Sequence, residues 1–215
     1  MRVLVIGAGG KIGQRIISQL KANPRHTPVA QVRHEKQVES FRQQGIETRH
    51  VDLEDTVSAL AKAMEGIDAI VFTAGSGGST GYDKTLLIDL DGAIKTMEAA
   101  ERSNIKRYVM VSALRSNDRE KWHTIQPYFA AKYYADKALM SSRLDYTVLR
   151  PGTLTDDAGT GKVSIEYMEG GQTHITRDDV ASFAVATLTA EHTIGKAIDL
   201  VQGDIPINQV LAHLQ

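Results

Sequence analysis

Two residues with proton-transfer chemistry lie four positions apart in the second half of the chain. Tyr128 is followed by Lys132 in the segment YFAAK, and positions i and i+4 of a helix share one face. A nearby ammonium favours the phenolate, which makes a tyrosine a usable acid for a carbonyl substrate. The pattern is weak alone, because Tyr133 and Lys137 repeat it in the same segment. Either pair also matches a surface aromatic residue beside a solvated lysine.

A glycine-rich segment near the start of the chain carries a stronger signal. It follows the apolar run Val3–Ile6 and precedes a helical stripe that continues through Ile16 and Leu20. Glycine there permits a tight turn, close approach of the backbone to a pyrophosphate, and close packing of helix on strand. The helix N-terminus offers free N–H groups to phosphates. This context predicts a dinucleotide site, against the alternative of a glycine-rich turn without a ligand. Its predicted residues are Gly7, Gly9, Gly10, Lys11, Ile12 and Gly13.

The end of the second predicted strand distinguishes the two pyridine nucleotides. NAD enzymes place an acidic residue on the ribose 2′-hydroxyl roughly 20 residues past the glycines. Here Arg33 occupies that position and His34 follows it. A cation pairs with a 2′-phosphate, so the sequence favours NADP(H) over NAD(H). A solvated surface arginine is the alternative.

Two further strand ends suit the remainder of such a cofactor. Asp52 follows the third predicted strand, where a carboxylate can accept a hydrogen bond from an adenine amino group. Gly75 follows the fourth, where a bulky side chain would collide with the cofactor. Three neighbours belong to the same predicted binding set: Leu53, Thr73 and Ala74.

Short apolar runs alternate with longer amphipathic stretches along the chain. Strands are predicted at 3–6, 29–32, 46–51, 69–72, 108–111, 146–149 and 198–201, and helices at 12–20, 36–44, 56–64, 84–102, 128–140 and 180–189. This alternation implies βαβ units and a parallel sheet with helices on both faces. We therefore predict an α/β, Rossmann-like doubly wound fold in one domain spanning residues 1–215. Residues 153–175 and the C-terminal end contribute a small substrate region.

Composition narrows the classes of partner. The 25 basic and 26 acidic side chains nearly balance, so no strong field exists to attract nucleic acid or anionic lipid. The absence of cysteine excludes disulfides, thiolate zinc sites and a cysteine nucleophile. The seven histidines form no metal-binding pattern, so no catalytic metal is predicted. No apolar run is long enough for a membrane span or a signal peptide. We expect a cytoplasmic monomer or homodimer that acts on a small molecule.

Together these segments resemble a short-chain dehydrogenase/reductase of the atypical branch, which is NmrA-like or epimerase-like. The resemblance covers nearly the whole chain and rests on residues 5–13, 51–53, 72–75, the Tyr128/Lys132 pair and 146–152. The family places its catalytic pair one helix before an Arg-Pro-Gly strand end, and Lys132 lies at the family's usual distance from Arg150, which favours Tyr128/Lys132 over the second pair. The resemblance also implies that the loop after Pro151 and Gly152 passes near the nicotinamide.

Two positions depart from the pattern of the family. The family's working hydroxyl, which hydrogen-bonds the substrate carbonyl, falls on Ala113, while Ser112 lies one step earlier. Successive strand side chains face opposite sides, so Ser112 can substitute only if the strand end twists. Asp89 stands where the family often carries an asparagine that helps to relay protons. Both departures also fit a protein that binds cofactor and has lost turnover.

The prediction is an NADP(H)-dependent oxidoreductase that transfers hydride to a small carbonyl or quinone-like substrate. Tyr128 protonates the developing alkoxide, Lys132 holds the nicotinamide ribose, and Ser112 assists if its geometry allows. One alternative is a non-catalytic NADP(H) sensor. Another is an NAD-dependent nucleotide-sugar epimerase or dehydratase, against which Arg33 and the short region after Arg150 argue. Asp156 and Asp157 are interpreted as turn residues beside Gly159.

Overall fold

The computed structural model describes residues 1–78, 80–168 and 170–214; Glu169, within the predicted substrate region, lies outside them. The strands are β1 Arg2–Ile6, β2 Thr27–Val32, β3 Glu47–His50, β4 Ala69–Phe72, β5 Arg107–Val111, β6 Asp145–Pro151, β7 Thr153–Thr155, β8 Lys162–Ser164, β9 His174–Thr176, β10 Lys196–Gln202 and β11 Ile205–Pro206. The helices are α1 Lys11–Ala22, α2 Glu35–Gln43, α3 Val57–Ala63, α4 Tyr82–Lys84, α5 Ala93–Arg102, α6 Gln126–Met140, α7 Arg177–Thr187 and α8 Ile207–His213. A π-helical segment, Thr85–Gly92, joins α4 to α5.

Nine of these strands form the central sheet, in the order β11-β8-β10-β6-β5-β4-β1-β2-β3. Neighbours pair in parallel from β3 to β10, and β8 and β11 add an antiparallel edge. Strands β7 and β9 form a separate parallel pair. The predicted α/β, Rossmann-like doubly wound sheet is confirmed.

The strand order reverses direction between β1 and β4. From β1 the chain passes to β2 on one side, and β4 lies against β1 on the other. In open parallel sheets such a reversal leaves a crevice beyond the carboxyl ends of the strands, where ligands bind. Gly7 and Thr73 follow these two strands directly, so the glycine segment lies in this crevice.

Alternating side chains of the strands supply two separate cores. Val3 and Val5 face a layer that contains α1, α2, α7 and α8. Leu4 and Ile6 face a layer that contains α3, α5 and α6. Buried strands with apolar residues on both faces are expected when helices cover both sides of a parallel sheet.

The elements differ from the prediction in three places. The helix predicted at 84–102 begins at Tyr82 and is π-helical through Thr85–Gly92. The helix predicted at 180–189 begins at Arg177, because the hydroxyl of Thr176 caps it by accepting from the Asp179 N–H at 3.0 Å. Strands β7, β8, β9 and β11 were not predicted, since two or three residues show no periodicity. None of the helices in the described residues is long and apolar enough to cross a membrane.

Candidate active site

The glycine segment is shaped by close backbone contacts. Gly7 has a φ of +80°, and a Cβ there would lie 2.7 Å from the backbone N and Cα of Ala74. A Cβ on Gly13 would lie 2.3 Å from the carbonyl oxygen of Gly7. These two glycines therefore let β1, α1 and the end of β4 meet. Gly10 is the N-cap of α1 and provides no side-chain cap, so the first N–H groups of the helix are left to a ligand.

Two connected cavities occupy the crevice. The first, here called the glycine cavity, has a volume of about 240 Å³. The second, the tyrosine cavity, has a volume of about 660 Å³. Predicted residues that line the glycine cavity are Gly7, Gly9, Gly10, Arg33, Asp52, Leu53, Thr73, Ala74 and Gly75. Those that line the tyrosine cavity are Gly10, Lys11, Ile12, Thr73, Ala74, Gly75, Ser112, Tyr128 and Lys132. Four shared residues make the two cavities one continuous groove.

Four predicted binding residues line neither of these cavities. Gly13 serves packing, as described above. His34 lies beside Arg33, whose Nε donates to His34 Nε2 at 3.1 Å. Pro151 and Gly152 line an adjoining cavity that also includes Tyr128. Glycine is required at 152 because a Cβ there would lie 2.1 Å from the carbonyl oxygen of Thr173.

Two glutamines that line the glycine cavity, Gln31 and Gln37, were not predicted from the sequence. Gln31 accepts from the Gly7 N–H at 3.0 Å and donates to the Val51 carbonyl at 2.6 Å, so it ties the glycine turn to the end of β3. Gln37 lies directly over Gly9, where a Cβ would come within 2.1 Å of its amide nitrogen. A polar residue inside the otherwise apolar run 29–32 is the one signal that could have indicated Gln31.

Lys132 is a buried cation held by two neighbours. Its Nζ lies 3.0 Å from Oδ1 of Asp89 and 5.6 Å from the ring centre of Tyr128. Burial lowers the pKa of Lys132, but its electrostatic interactions with Tyr128 and Asp89, together with the hydrogen bond to Asp89, outweigh burial and raise that pKa above its ordinary value. Lys132 therefore stays charged inside the groove.

Asp89 is the buried carboxylate that positions this lysine. It lies on the π-helical segment, is 1% exposed, and its Oδ2 accepts from the Ser76 N–H at 2.9 Å. A Cβ on Gly75 would lie 3.0 Å from its Oδ1. One carboxylate thus organises both the lysine and the loop that follows β4. The sequence marked Asp89 as a departure from the family, but not as the partner of Lys132.

Ser112 is a buried residue at the edge of the groove. Strand β5 ends at Val111, and the Ser112 N–H donates to the Leu149 carbonyl at 2.7 Å beyond that end. Its buried hydroxyl has no hydrogen-bond partner in the described part of the chain. Ser112 lines the tyrosine cavity, whereas Ala113 does not. Regular strand alternation stops at Val111, so it does not fix the side on which the Ser112 side chain lies, and the role of Ser112 stays a prediction.

The second tyrosine–lysine pair lies elsewhere. Tyr133 and Lys137 line a different cavity, which they share with Asp136 and Arg150 but with no residue of the glycine segment. The guanidinium carbon of Arg119 lies 4.4 Å from the ring centre of Tyr133. Only the Tyr128/Lys132 pair, of these two, adjoins the groove.

Asp156 is an ionic tether, and its interpretation as a turn residue is incomplete. It lies 2.5 Å from the ammonium of Lys11, 3.0 Å from Arg177 and 3.8 Å from Arg15. The hydrogen bond from Lys11, followed by the charge of Arg177, holds the pKa of Asp156 below its ordinary value. The loop after β7 is thereby fastened to the start of α1.

The groove has what a dinucleotide requires. It combines a glycine turn at the point where strand order reverses with an uncapped helix N-terminus, and Tyr128 and Lys132 line its far end. No group of three or more potential ligands that could hold a metal ion occurs among the described residues. Fold and groove together define a Rossmann-type dinucleotide-binding protein.

Comparison with known proteins agrees with this class. Residues 7–191 match the model of a family described as NAD(P)H-binding, and the chain belongs to that family. It falls in the atypical short-chain dehydrogenase/reductase and epimerase-like class, which confirms the resemblance read from the sequence. Its family is oxidoreductase- or epimerase-like in general.

Three similar proteins span nearly the same length. A Bacillus subtilis protein named "Uncharacterized sugar epimerase YhfK" is 50% identical over 216 residues, covering 100% of both chains. A Bacillus halodurans structure, named as a candidate NAD-dependent epimerase/dehydratase, is 42% identical with a TM-score of 0.92 and 99% of each chain covered. ChuY of Escherichia coli O157:H7, named as an anaerobilin reductase, is 27% identical with a TM-score of 0.79, covering 95% of this chain and 98% of its own.

Proposed function

We propose that the protein is an NADP(H)-dependent oxidoreductase that reduces a small carbonyl or quinone-like substrate. The observation that carries this proposal is the convergence of Tyr128 and Lys132 on the tyrosine cavity, whose lining also includes Ser112. That cavity continues directly into the glycine cavity. The name of ChuY as a reductase is consistent with this activity.

Each of the three side chains has a distinct part in the proposed reaction. When bound, the reduced cofactor supplies a hydride to the substrate. Tyr128 donates a proton to the substrate oxygen, and the Ser112 hydroxyl hydrogen-bonds the same oxygen. Lys132 stabilises the charge left on Tyr128 and binds the ribose, while Asp89 holds the lysine in place.

The chain itself provides a control for this assignment. Tyr128→Phe keeps the ring and removes the proton, so NADPH oxidation with an active carbonyl should fall about 10²–10⁴-fold. Tyr133→Phe makes the same change in the second pair, away from the groove, and should leave the rate within about twofold. NADPH affinity should be unchanged in both variants. Absence of NADPH binding by the wild-type protein would reject the whole proposal, and full activity of Tyr128→Phe would reject the proton donor.

The preference for NADP(H) rests on Arg33. This arginine is exposed at the rim of the glycine cavity and faces no carboxylate within ion-pair distance in the described chain. A charge-assisted pair with the 2′-phosphate is worth about 1.5–3 kcal/mol. Arg33→Ala should therefore reduce the ratio of NADPH to NADH affinity at least tenfold. Arg42→Ala, which removes an exposed arginine of α2, should not change that ratio, and equal wild-type affinities would contradict the preference.

A non-catalytic NADP(H) sensor is a second candidate. It is favoured by the Lys132–Asp89 ion pair, because Asp89 offsets the positive charge that would favour ionised Tyr128. Ala113 at the family's hydroxyl position points the same way. A sensor should discriminate NADP⁺ from NADPH in titration calorimetry and show no turnover on a panel of aldehydes, ketones and quinones.

The names of the Bacillus relatives favour an epimerase or dehydratase acting with NAD. Such enzymes retain their cofactor through the catalytic cycle. Acid release and chromatography of the purified protein would reveal stoichiometric NAD in that case. An empty or NADP-loaded protein would argue for the reductase.

A further inference from the structure

A third cavity adjoins the proposed catalytic residues. It has a volume of about 440 Å³ and is here called the arginine cavity. It shares the side chains of Ser112, Tyr128 and Arg177 with the tyrosine cavity. A molecule bound in it can therefore present one end to the Tyr128 hydroxyl and extend away from the groove.

Apolar walls and two cations characterise this cavity. Leu114, Phe129 and Leu154 supply apolar surface. The charged residues among its described lining are Arg115 and Arg177, with no carboxylate. Guanidinium groups at an apolar wall bind carboxylates strongly, since little water competes and two parallel hydrogen bonds can form.

Arg115 is held in an uncommon conformation with a donor unused. Its φ of +66° lies in the left-handed region, which residues other than glycine seldom adopt and which concentrates at functional sites. Its guanidinium lies over the ring of Tyr167, 5.1 Å from the centre, and also donates to the Tyr167 hydroxyl. Its Nε is buried and has no hydrogen-bond partner among the residues described.

Arg177 is bonded on one side only. Its Nη1 contacts Asp156 at 3.0 Å and the Leu154 carbonyl at 3.3 Å, whereas Nη2 has no partner in the described chain. Asp156 does not cancel its charge, because that carboxylate also pairs with Lys11 at 2.5 Å, while the neighbouring carboxylate of Asp178 is paired with Arg15. The wall near Arg177 therefore keeps an excess of positive charge.

We propose that the arginine cavity is the substrate pocket and that it takes apolar carbonyl compounds bearing a carboxylate. Arg115 and Arg177 bind the carboxylate while the carbonyl lies at Tyr128 and Ser112. This inference rests on the proposed reductase function and adds the substrate class to it. The carbonyl carbon gains a hydride and its oxygen gains the Tyr128 proton, so the substrate becomes an alcohol as NADPH is oxidised to NADP⁺. Solvent then returns the proton to Tyr128.

Matched substrates test the charge requirement. NADPH oxidation is measured with 4-formylbenzoate and with its neutral methyl ester, each at saturating NADPH. A wild-type kcat/KM at least about tenfold higher for the acid is expected from one charge-assisted pair. Arg115→Gln and Arg177→Gln should each bring the acid-to-ester ratio towards one. Arg119→Gln, on the same segment but outside the cavity, should keep the wild-type ratio.

A binding measurement separates this inference from the proposed function. Benzoate and benzamide are titrated calorimetrically into wild-type protein saturated with NADP⁺, which requires neither turnover nor a variant. Selective binding of benzoate that weakens in Arg115→Gln or Arg177→Gln supports the pocket, even if no carbonyl is reduced. Turnover of acid and ester at equal rates, or benzoate affinity equal to that of benzamide, would overturn it while leaving the reductase intact.

Discussion

Gly7 must be glycine for two separate steric reasons. Its φ of +80° disfavours any side chain, and the backbone of Ala74 leaves no room for a Cβ. Gly45 has a similar φ of +70°, but no atom of the described residues, apart from its chain neighbours, lies within 4 Å of the position of its Cβ. A side chain at Gly45 would meet only backbone strain, whereas one at Gly7 would meet the same strain and a steric clash with Ala74.

Alanine at these two positions should give different losses of stability. Gly45→Ala incurs strain alone and should lower the free energy of unfolding by about 1–2 kcal/mol. Gly7→Ala adds a forced shift of the β4 end, worth about 1–3 kcal/mol more. Urea unfolding monitored by circular dichroism measures both. Equal losses would mean that the Ala74 backbone yields freely.

His26, just before β2, should make the fold sensitive to acid. Burial lowers its pKa below the ordinary 6.5, and the N-terminal ammonium and Arg25 lower it further. As the pH falls, His26 is therefore protonated in the unfolded chain before it is protonated in the folded protein. The stability contributed by neutral His26 is fully present above about pH 6.5 and is lost as the pH falls through the lowered pKa of the folded state. The free energy of unfolding should drop less between about pH 7.5 and 5.5 in His26→Phe than in wild type. His123→Phe, which removes an exposed histidine, should retain the wild-type drop.

At the scale of elements, the π-helical segment is what brings Asp89 to Lys132. A π-helical turn is wider than an α-helical turn and commonly lies at functional sites. It places Asp89 against α6 within a helix that otherwise follows the usual pattern. Lys95 and Asp91 form an ion pair of the same 3.0 Å length nearby, but Asp91 is half exposed.

These two ion pairs should differ sharply in energy. Lys132→Met leaves Asp89 buried without its charge partner and should destabilise the protein by about 3–5 kcal/mol. Adding Asp89→Asn should recover about 1–3 kcal/mol, measured as the coupling energy of a double-mutant cycle. Lys95→Met should cost less than about 1 kcal/mol, because Asp91 is half exposed and water can solvate its charge once the partner is gone. Additive effects at 89 and 132 would contradict the pairing.

Sequence patterns predicted elements whose signals are local. The run Val3–Ile6 and the glycines after it identify their strand and turn, because β-branched periodicity and small residues act over a few positions. The Lys132–Asp89 contact spans 43 positions and depends on a π-helical bond pattern that leaves no trace in hydropathy. The Asp156–Lys11 tether likewise joins distant parts of the chain. Pairings of this kind arise from tertiary packing and could not be predicted.

At the scale of the whole molecule, one sheet carries both cores. Val5 belongs to one core and Leu4 to the other, so neither helical layer can detach without exposing the strands that the second layer covers. Unfolding should therefore be cooperative. The single tryptophan, Trp122, stacks on Phe129 at 6.3 Å and so reports on α6.

Tryptophan fluorescence and far-ultraviolet circular dichroism should give the same midpoint and slope in urea. Fluorescence follows the surroundings of Trp122, whereas circular dichroism follows all helices and strands. An earlier fluorescence transition would show that the segment around Trp122 opens before the sheet does, and the single-domain expectation would need revision.

The wide turn between Thr85 and Gly92 also limits which insertions and deletions this lineage can tolerate. Successive α-helical residues are about 100° apart around the axis, so losing one codon here would restore ordinary helical bonding but swing Asp89 out of reach of α6. The length of this π-helical segment, rather than any one side chain, thus sets the helical register of Asp89. Insertions and deletions among homologues should therefore avoid the segment.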